Sequence, residues 1–298
     1  MTPVLPSSSR VESLPLAILL VLVAILLVLT DVLARWDLNV YDIGLRLLQR
    51  PAPNSITVVA IDEESISTLG RWPWPRKLHG QLVDRLAAAN ARAVGFDILF
   101  DQDDPTDIAG DFAFGAAARK FGKVALATAP VPGRDTGIHA ALPMPALEGA
   151  TIGHVDVELD QDGIARQIYL HGGVGSARWP ALGLAIKDLG EQVGSLPQVP
   201  DAKSRADLGA PSAWVRAEPF RIPFYGAASA IPHVSYARLL RGDPDALERV
   251  RGKFVVVGVT AIGLSSGFVT PTSAHREMPG VELTANVLGS LLEGVRIL

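Results

Sequence analysis

The polarity pattern sets the start of the chain apart. From Leu14 to Leu29 every position is apolar or proline, and no charged residue falls between Glu12 and Asp31. A helix of about 16 such residues is roughly 24 Å long, a little short of the ~30 Å hydrocarbon thickness of a bilayer. Thr30, Val32, Leu33 and Ala34 lengthen it, Asp31 and Arg35 can snorkel, and Trp36 suits an interfacial belt. The pattern predicts a transmembrane anchor over 13–34 behind a polar tail of 1–12. Two other readings stay open: a signal peptide cleaved near Val32-Leu33-Ala34, and a buried core helix. Beyond the anchor, Val40, Tyr41, Gly44, Leu45 and Leu48 share one face of a predicted helix over 36–49, which Pro51-Ala52-Pro53 ends. Residues 35–55 therefore form a juxtamembrane segment, either a stalk or a route for movement.

From residue 56 short apolar runs alternate with helical periodicity. Ile56–Ile61 and Ala93–Phe96 are apolar on both faces and stop at Asp62 and Asp97, as buried parallel strands do. Between them Leu78, Leu82, Val83, Leu86 and Ala89 recur at helical spacing, which predicts a βαβ unit with its two strands paired in parallel. A helix over 108–121 ending at Gly122, strands over 124–128 and 253–259, and helices over 180–189, 235–241 and 280–294 continue the alternation, with Ser235 as an N-cap. Residues 152–157 and 164–170 alternate in polarity around Asp160-Gln161-Asp162-Gly163, which predicts an antiparallel hairpin added to the sheet. A short strand is expected over 220–224 and loops over 129–150 and 190–212. Residues 56–298 thus predict an α/β domain: a mostly parallel central sheet with flanking helices and an antiparallel hairpin, preceded by one transmembrane helix.

Composition narrows the function. A net charge of −4 gives no reason to expect nucleic acid. The absence of cysteine excludes disulfides, thiol catalysis and zinc–cysteine sites. No G-x-G-x-x-G follows the first strand and no Walker A exists, so no nucleotide cofactor is expected. The six histidines show no ligand spacing.

In open α/β sheets ligands bind beyond the carboxyl ends of the strands, where this sequence puts Asp62, Asp97 and Asp101. Trp72, Trp74 and Arg76, with Arg71, lie between the first strand and its helix, where prolines 73 and 75 hold the backbone extended. Asp62, Trp72, Trp74, Arg76, Asp97 and Asp101 are the candidate ligand-binding residues. The alternative, favoured because aromatic pairs mostly serve packing, is that the tryptophans form a hydrophobic lid with the arginines paired to the acids. The acidic stretch 101–107 lacks the calcium-loop pattern and reads as a solvated loop capping the next helix. The rival reading is a hydrolase anchored in the envelope. It would use Asp62, Asp97 and Asp101 with a metal, or Ser265 of Gly263-Leu264-Ser265-Ser266-Gly267, although Pro271 breaks the helix that a nucleophile elbow requires.

The ordered set AIDEESI, GRWPWPR, GFDILF, GKFVVVGVTA, Thr270-Pro271, Pro279-Gly280-Val281-Glu282 and Ala285-Asn286 resembles the CHASE2 family from about residue 36 to 296. The resemblance implies an extracytoplasmic sensor held at the inner membrane. It would bind a small ligand or a periplasmic partner, work as a homodimer, and relay a conformational change through membrane helices to a cytoplasmic output module beyond Leu298. Catalysis, if any, would lie in that module. The orientation of the chain rests on this resemblance, because cations do not favour the amino-terminal side of the anchor. Family members tend to carry an aspartate near Ser265, where this sequence has serines and glycine.

Overall fold

A computed structural model of the protein describes residues 15–22, 32–48, 50–133, 137–192, 194–200, 213–264, 267–273 and 276–297. The chain divides into two units, Met1–Leu48 and Gln49–Leu298. In the first, residues 15–22 are helical, and so is α1 (Val32–Leu47), which stops before the prolines at 51 and 53 as expected. The tail of 1–12, and residues 13–14 and 23–31 of the anchor expected over 13–34, lie outside the described residues. No helix among the described residues is long and apolar enough to cross a membrane.

The second unit is built on six strands: β1 (Ile56–Ile61), β2 (Ala93–Asp97), β3 (Val124–Thr128), β6 (Thr151–His154), β10 (His233–Ser235) and β11 (Phe254–Val259). They lie in the order β10-β1-β11-β2-β3-β6, and every pairing is parallel. β1 and β2 are parallel but not neighbours, contrary to the simple βαβ expectation, because β11 runs between them. β11 (FVVVGV) is apolar along its whole length and buried over all but its last residue. The centre of the sheet is the one place where such a strand leaves neither face nor edge in water.

Alternate residues of these strands serve opposite faces. Val59, Ile61, Val94, Phe96 and Val257 pack under α3 (Arg76–Ala88), α4 (Ile108–Phe121) and α6 (Tyr236–Arg241), near the short α2 (Glu63–Leu69) and α7 (Pro244–Val250). Val58, Ala93, Ala125 and Val256 pack under α5 (Leu182–Glu191) and α8 (Gly280–Leu292). Those two helices come close to the sheet because glycines lie beneath them. A Cβ on Gly153 would sit 2.8 Å from the Leu182 Cα, and one on Gly258 2.6 Å from the Val281 Cβ.

The antiparallel part of the molecule is a separate three-stranded sheet, not a hairpin added to the main one. β7 (Gln167–Val174) pairs with β8 (Trp179–Pro180) and with β9 (Trp214–Arg221), whereas β6 joins the parallel sheet beside β3. The turn at 160–163 does form: Gly163 N donates to Asp160 O at 2.8 Å, and Arg166 is clamped between Asp160 at 2.6 Å and Asp162 at 2.8 Å. The segments leaving that turn part after a single bridge between Glu158 and Gln167. β9 begins at Trp214, earlier than the strand expected over 220–224. Two small ribbons complete the sheets. β4 (Pro130–Pro132) pairs with β5 (Ile138–Ala140) inside the stretch expected to be a loop, and β12 (Gly267–Phe268) pairs with β13 (Met278–Pro279).

Candidate ligand cavity

The connections that follow β1, β2 and β10 pack on the face of α3, α4 and α6, while α8, which follows β11, packs on the opposite face. Neighbouring strands whose connections diverge in this way leave a crevice at their carboxyl ends. A cavity of about 410 Å³ lies there. Asp97 of β2, Val259 of β11 and His154 of β6 reach it from the sheet, Val281 and Thr284 from α8, and Ile168 from β7. Most of its wall is aliphatic, with Phe268 and Leu264 toward the carboxyl-terminal part of the chain. A wider cleft of about 780 Å³ involves Val124 and Thr151, at the opposite, amino ends of β3 and β6.

Polar groups in the cavity are few. Asp97 accepts a hydrogen bond from Thr284 Oγ1 at 3.0 Å through Oδ2, and no other hydrogen bond reaches it from the described residues. Desolvation pushes the carboxyl up to about 6, against the weaker pull of the Thr284 hydroxyl. His154 is buried, and burial holds it down to about 4, so the ring is neutral at neutral pH. Its Nδ1 accepts from the Asp156 backbone N–H at 3.3 Å. The Asp156 carboxylate is taken up by a two-pronged contact with Arg216 (2.7 and 3.1 Å) and by Trp214 Nε1 at 3.0 Å.

Of the six residues singled out from the sequence, only Asp97 lines this cavity. Asp62 caps α2: its Oδ1 accepts from the Ser65 N–H at 2.8 Å, from the Ser65 hydroxyl and, at 3.1 Å, from Ser235 Oγ. Ser235 therefore ties β10 to β1 and does not make the N-cap hydrogen bond expected of it. Trp74 is buried, with its Nε1 donating to Gly70 O at 2.9 Å, and Trp72 stands edge-on to it at 5.1 Å. Both belong to an aromatic cluster around the fully buried His79, whose Nδ1 is 3.0 Å from Tyr236 Oη. Burial pushes His79 down to about 3. The Arg76 guanidinium lies 5.1 Å from the Phe100 ring, on the edge of the same cluster. Trp74 thus lies in the core, and Trp72, partly buried, packs against it.

Asp101 is exposed at the start of the acidic loop. Other acids of that loop serve the backbone: Asp107 accepts from Gly110 N at 3.0 Å and Asp104 from Thr106 N at 2.9 Å. Insertion of β11 puts two interstrand spacings, roughly 10 Å, between the ends of β1 and β2. Asp97 lines the cavity and Asp62 does not. Among the described residues no group of three or more His, Asp or Glu is placed to hold a metal ion. Ser265 lies outside the described residues, but Gly267–Phe268 is a strand where an elbow would need a helix.

The sequence does not single out His154 or Thr284. His154 ends a β-strand just as Asp97 does, a signal that the apparent run to Val157 hides. Thr284 lies beside the apolar stripe that Val281, Ala285, Leu288 and Leu292 form on the last helix.

An open parallel sheet with a mostly aliphatic cavity places the chain among the α/β domains that carry a crevice at their strand ends, without the paired acids of the hydrolase reading. The CHASE2 domain profile matches residues 17–297, and the chain belongs to that family, one of extracellular sensor domains. Comparison with curated proteins and with solved structures finds no match.

Proposed function

We propose that the chain senses a small ligand outside the cytoplasm by binding it in the cavity at the ends of β2, β6 and β11, and that α8 carries the response. One observation supports this most directly. The amino-terminal half of α8 forms a wall of the cavity through Gly280, Val281, Thr284 and Val287. Beyond its other end, Glu293 holds Arg50, only three residues after α1: Arg50 Nη1 donates to Glu293 Oε2 at 2.7 Å and Nη2 to Pro223 O at 2.7 Å. Tyr225 joins them, its hydroxyl donating to Glu293 Oε2 at 2.9 Å beneath the Arg50 guanidinium. A ligand that shifts α8 therefore acts on the chain where it leaves the domain for α1, and selects one of two arrangements there.

The anchor over 13–34 would hold the domain at the inner membrane. Leu16, Ile18, Leu19, Leu20, Val21 and Leu22 point in all directions from their helix and are all exposed, a surface suited to lipid. The output module would lie on the cytoplasmic side. The working state would be a homodimer: Trp36, Val40, Ile43 and Leu47 of α1 are exposed at spacings of four, three and four, an apolar seam that a second copy would cover.

A ligand screen by thermal shift tests the site. Leu99 lines the cavity at its exposed rim, so Leu99→Trp should fill it with little damage to the core. Ligands that raise the melting temperature of the full chain should fail to do so in Leu99→Trp. Hits that act equally on both proteins would place binding elsewhere.

A further inference from the structure

The charge balance of the cavity identifies the kind of molecule that fits it, given that the cavity is the ligand site as proposed above. Among the described lining residues Asp97 is the one carboxylate without a counterion. The Asp156 carboxylate is matched by Arg216, burial keeps His154 neutral, and the same residues include no lysine or arginine. Among the described residues the only group that bonds the Asp97 carboxylate is the Thr284 hydroxyl, at 3.0 Å. A carboxylate held in an aliphatic cavity with one neutral hydrogen bond is poorly solvated, and an opposite charge on a ligand would relieve it. Most of the remaining wall offers apolar surface, with Ile168, Val259, Phe268, Leu283 and Val287 giving no side-chain hydrogen bond, and the ring Nε2 of His154 is the one further side-chain polar atom among the described lining residues left without a partner. The volume, about 410 Å³, is at the lower end of the roughly 300–1,000 Å³ typical of small-molecule sites.

We propose that the cavity takes a small organic cation, an apolar aromatic or aliphatic body bearing one protonated amine, with the amine paired to Asp97 and the body against Ile168, Phe268, Leu283 and Val287. Binding of the amine favours the ionised carboxylate, so affinity rises with pH as Asp97 ionises. The other polar or titratable side chains among the described lining residues are Thr284 from α8, which does not titrate in this range, and His154 and Asp156 from the β6 side, of which His154 stays neutral until well below the transition.

Three probes of one shape and different charge test this on the full chain: phenethylammonium, phenethyl alcohol and hydrocinnamate, titrated by calorimetry near neutral pH and again at about pH 5. Phenethylammonium should bind at least about tenfold more tightly than the alcohol near neutral pH. The preference should shrink at about pH 5 and vanish in Asp97→Asn, a variant that removes a desolvated charge and should stay folded. Hydrocinnamate should not bind. If the alcohol or the carboxylate binds as well as the amine and Leu99→Trp abolishes that binding, the cavity stands and the cation is wrong. If no probe binds in a way that Leu99→Trp abolishes, the cavity reading and the proposal resting on it both fail.

Discussion

On the proposed reading, stability and binding oppose each other at Asp97. Its carboxyl ionises near 3.8 in an unfolded chain and near 6 in the native protein. Between those values the native state binds the extra proton. The contribution of Asp97 to stability is therefore greatest below pH ~4, falls as pH rises to about 6, and is level above. The difference corresponds to an upper bound of about 3 kcal/mol at neutral pH, reduced because the group is partly open to the cavity. Asp97→Asn should raise the denaturant midpoint near neutral pH and remove that part of the slope between about pH 4 and 6, as urea titrations across pH would measure. An unchanged slope would mean that Asp97 is not desolvated. Asn286 is a structural counterpart. Its Oδ1 accepts from the buried Tyr225 N–H at 2.9 Å, and its Nδ2 donates to Glu282 O at 2.8 Å. Asn286→Ala leaves a buried backbone donor unpaired and should lower stability by about 1–3 kcal/mol, seen as a lower urea midpoint at the same slope. The strand-end rule finds Asp97 from the sequence, but it cannot separate Asp97 from Asp62. What separates them is the partner each meets: Ser65 and Ser235 enclose Asp62, whereas among the described residues a single hydroxyl bonds the Asp97 carboxylate. Ser235 lies 173 residues from Asp62, and such a contact leaves no local trace in the sequence.

Among the elements, the strands of the parallel sheet are legible where they are apolar on both faces, as in Ile56–Ile61, Ala93–Asp97, Val124–Thr128 and Phe254–Val259. Their order is not. Pairing of β1 with β11 joins residues about 200 apart in sequence, and nothing in the local pattern distinguishes it from pairing with β2. The hairpin misleads for the opposite reason. Asp160–Gly163 is a true turn, but Gly153 must lie under Leu182 and Ile152 is buried in the main core, so β6 is drawn into the sheet while β7 remains outside. β10 is three residues long and too short for periodicity to register. Packing of α8 gives a prediction at this scale. Gly258→Val would drive a side chain into Val281, and the helix must shift or the protein must lose stability, by about 1–3 kcal/mol. Because Val281 also lines the cavity, ligand affinity should fall together with the melting temperature. On α1, Ile43→Lys should shift any dimer toward monomer in mass photometry without altering the melting of the domain.

At the scale of the whole molecule, the proposed ligand cavity and the exit toward α1 are attached to the two ends of one helix. The pair of Arg50 with Glu293 is partly exposed and contributes little to stability, in the range of about 0–1 kcal/mol for such pairs. Its value in this account is in coupling. Arg50→Ala, which also removes the hydrogen bond to Pro223 O and the stack on Tyr225, should lower the melting temperature modestly and leave the ligand affinity of the cavity nearly unchanged while abolishing the response at α1. The chain contains no cysteine, so pairs of spin labels can be introduced without background. The decisive measurement is the distance distribution between labels at positions 45 and 227 of the full chain in lipid nanodiscs, with and without a ligand whose binding Leu99→Trp abolishes. The account predicts two populations whose ratio changes on ligand addition in the wild-type background and does not change when Arg50→Ala is added. A distribution that ignores the ligand, or that responds equally without Arg50, would contradict transmission through α8.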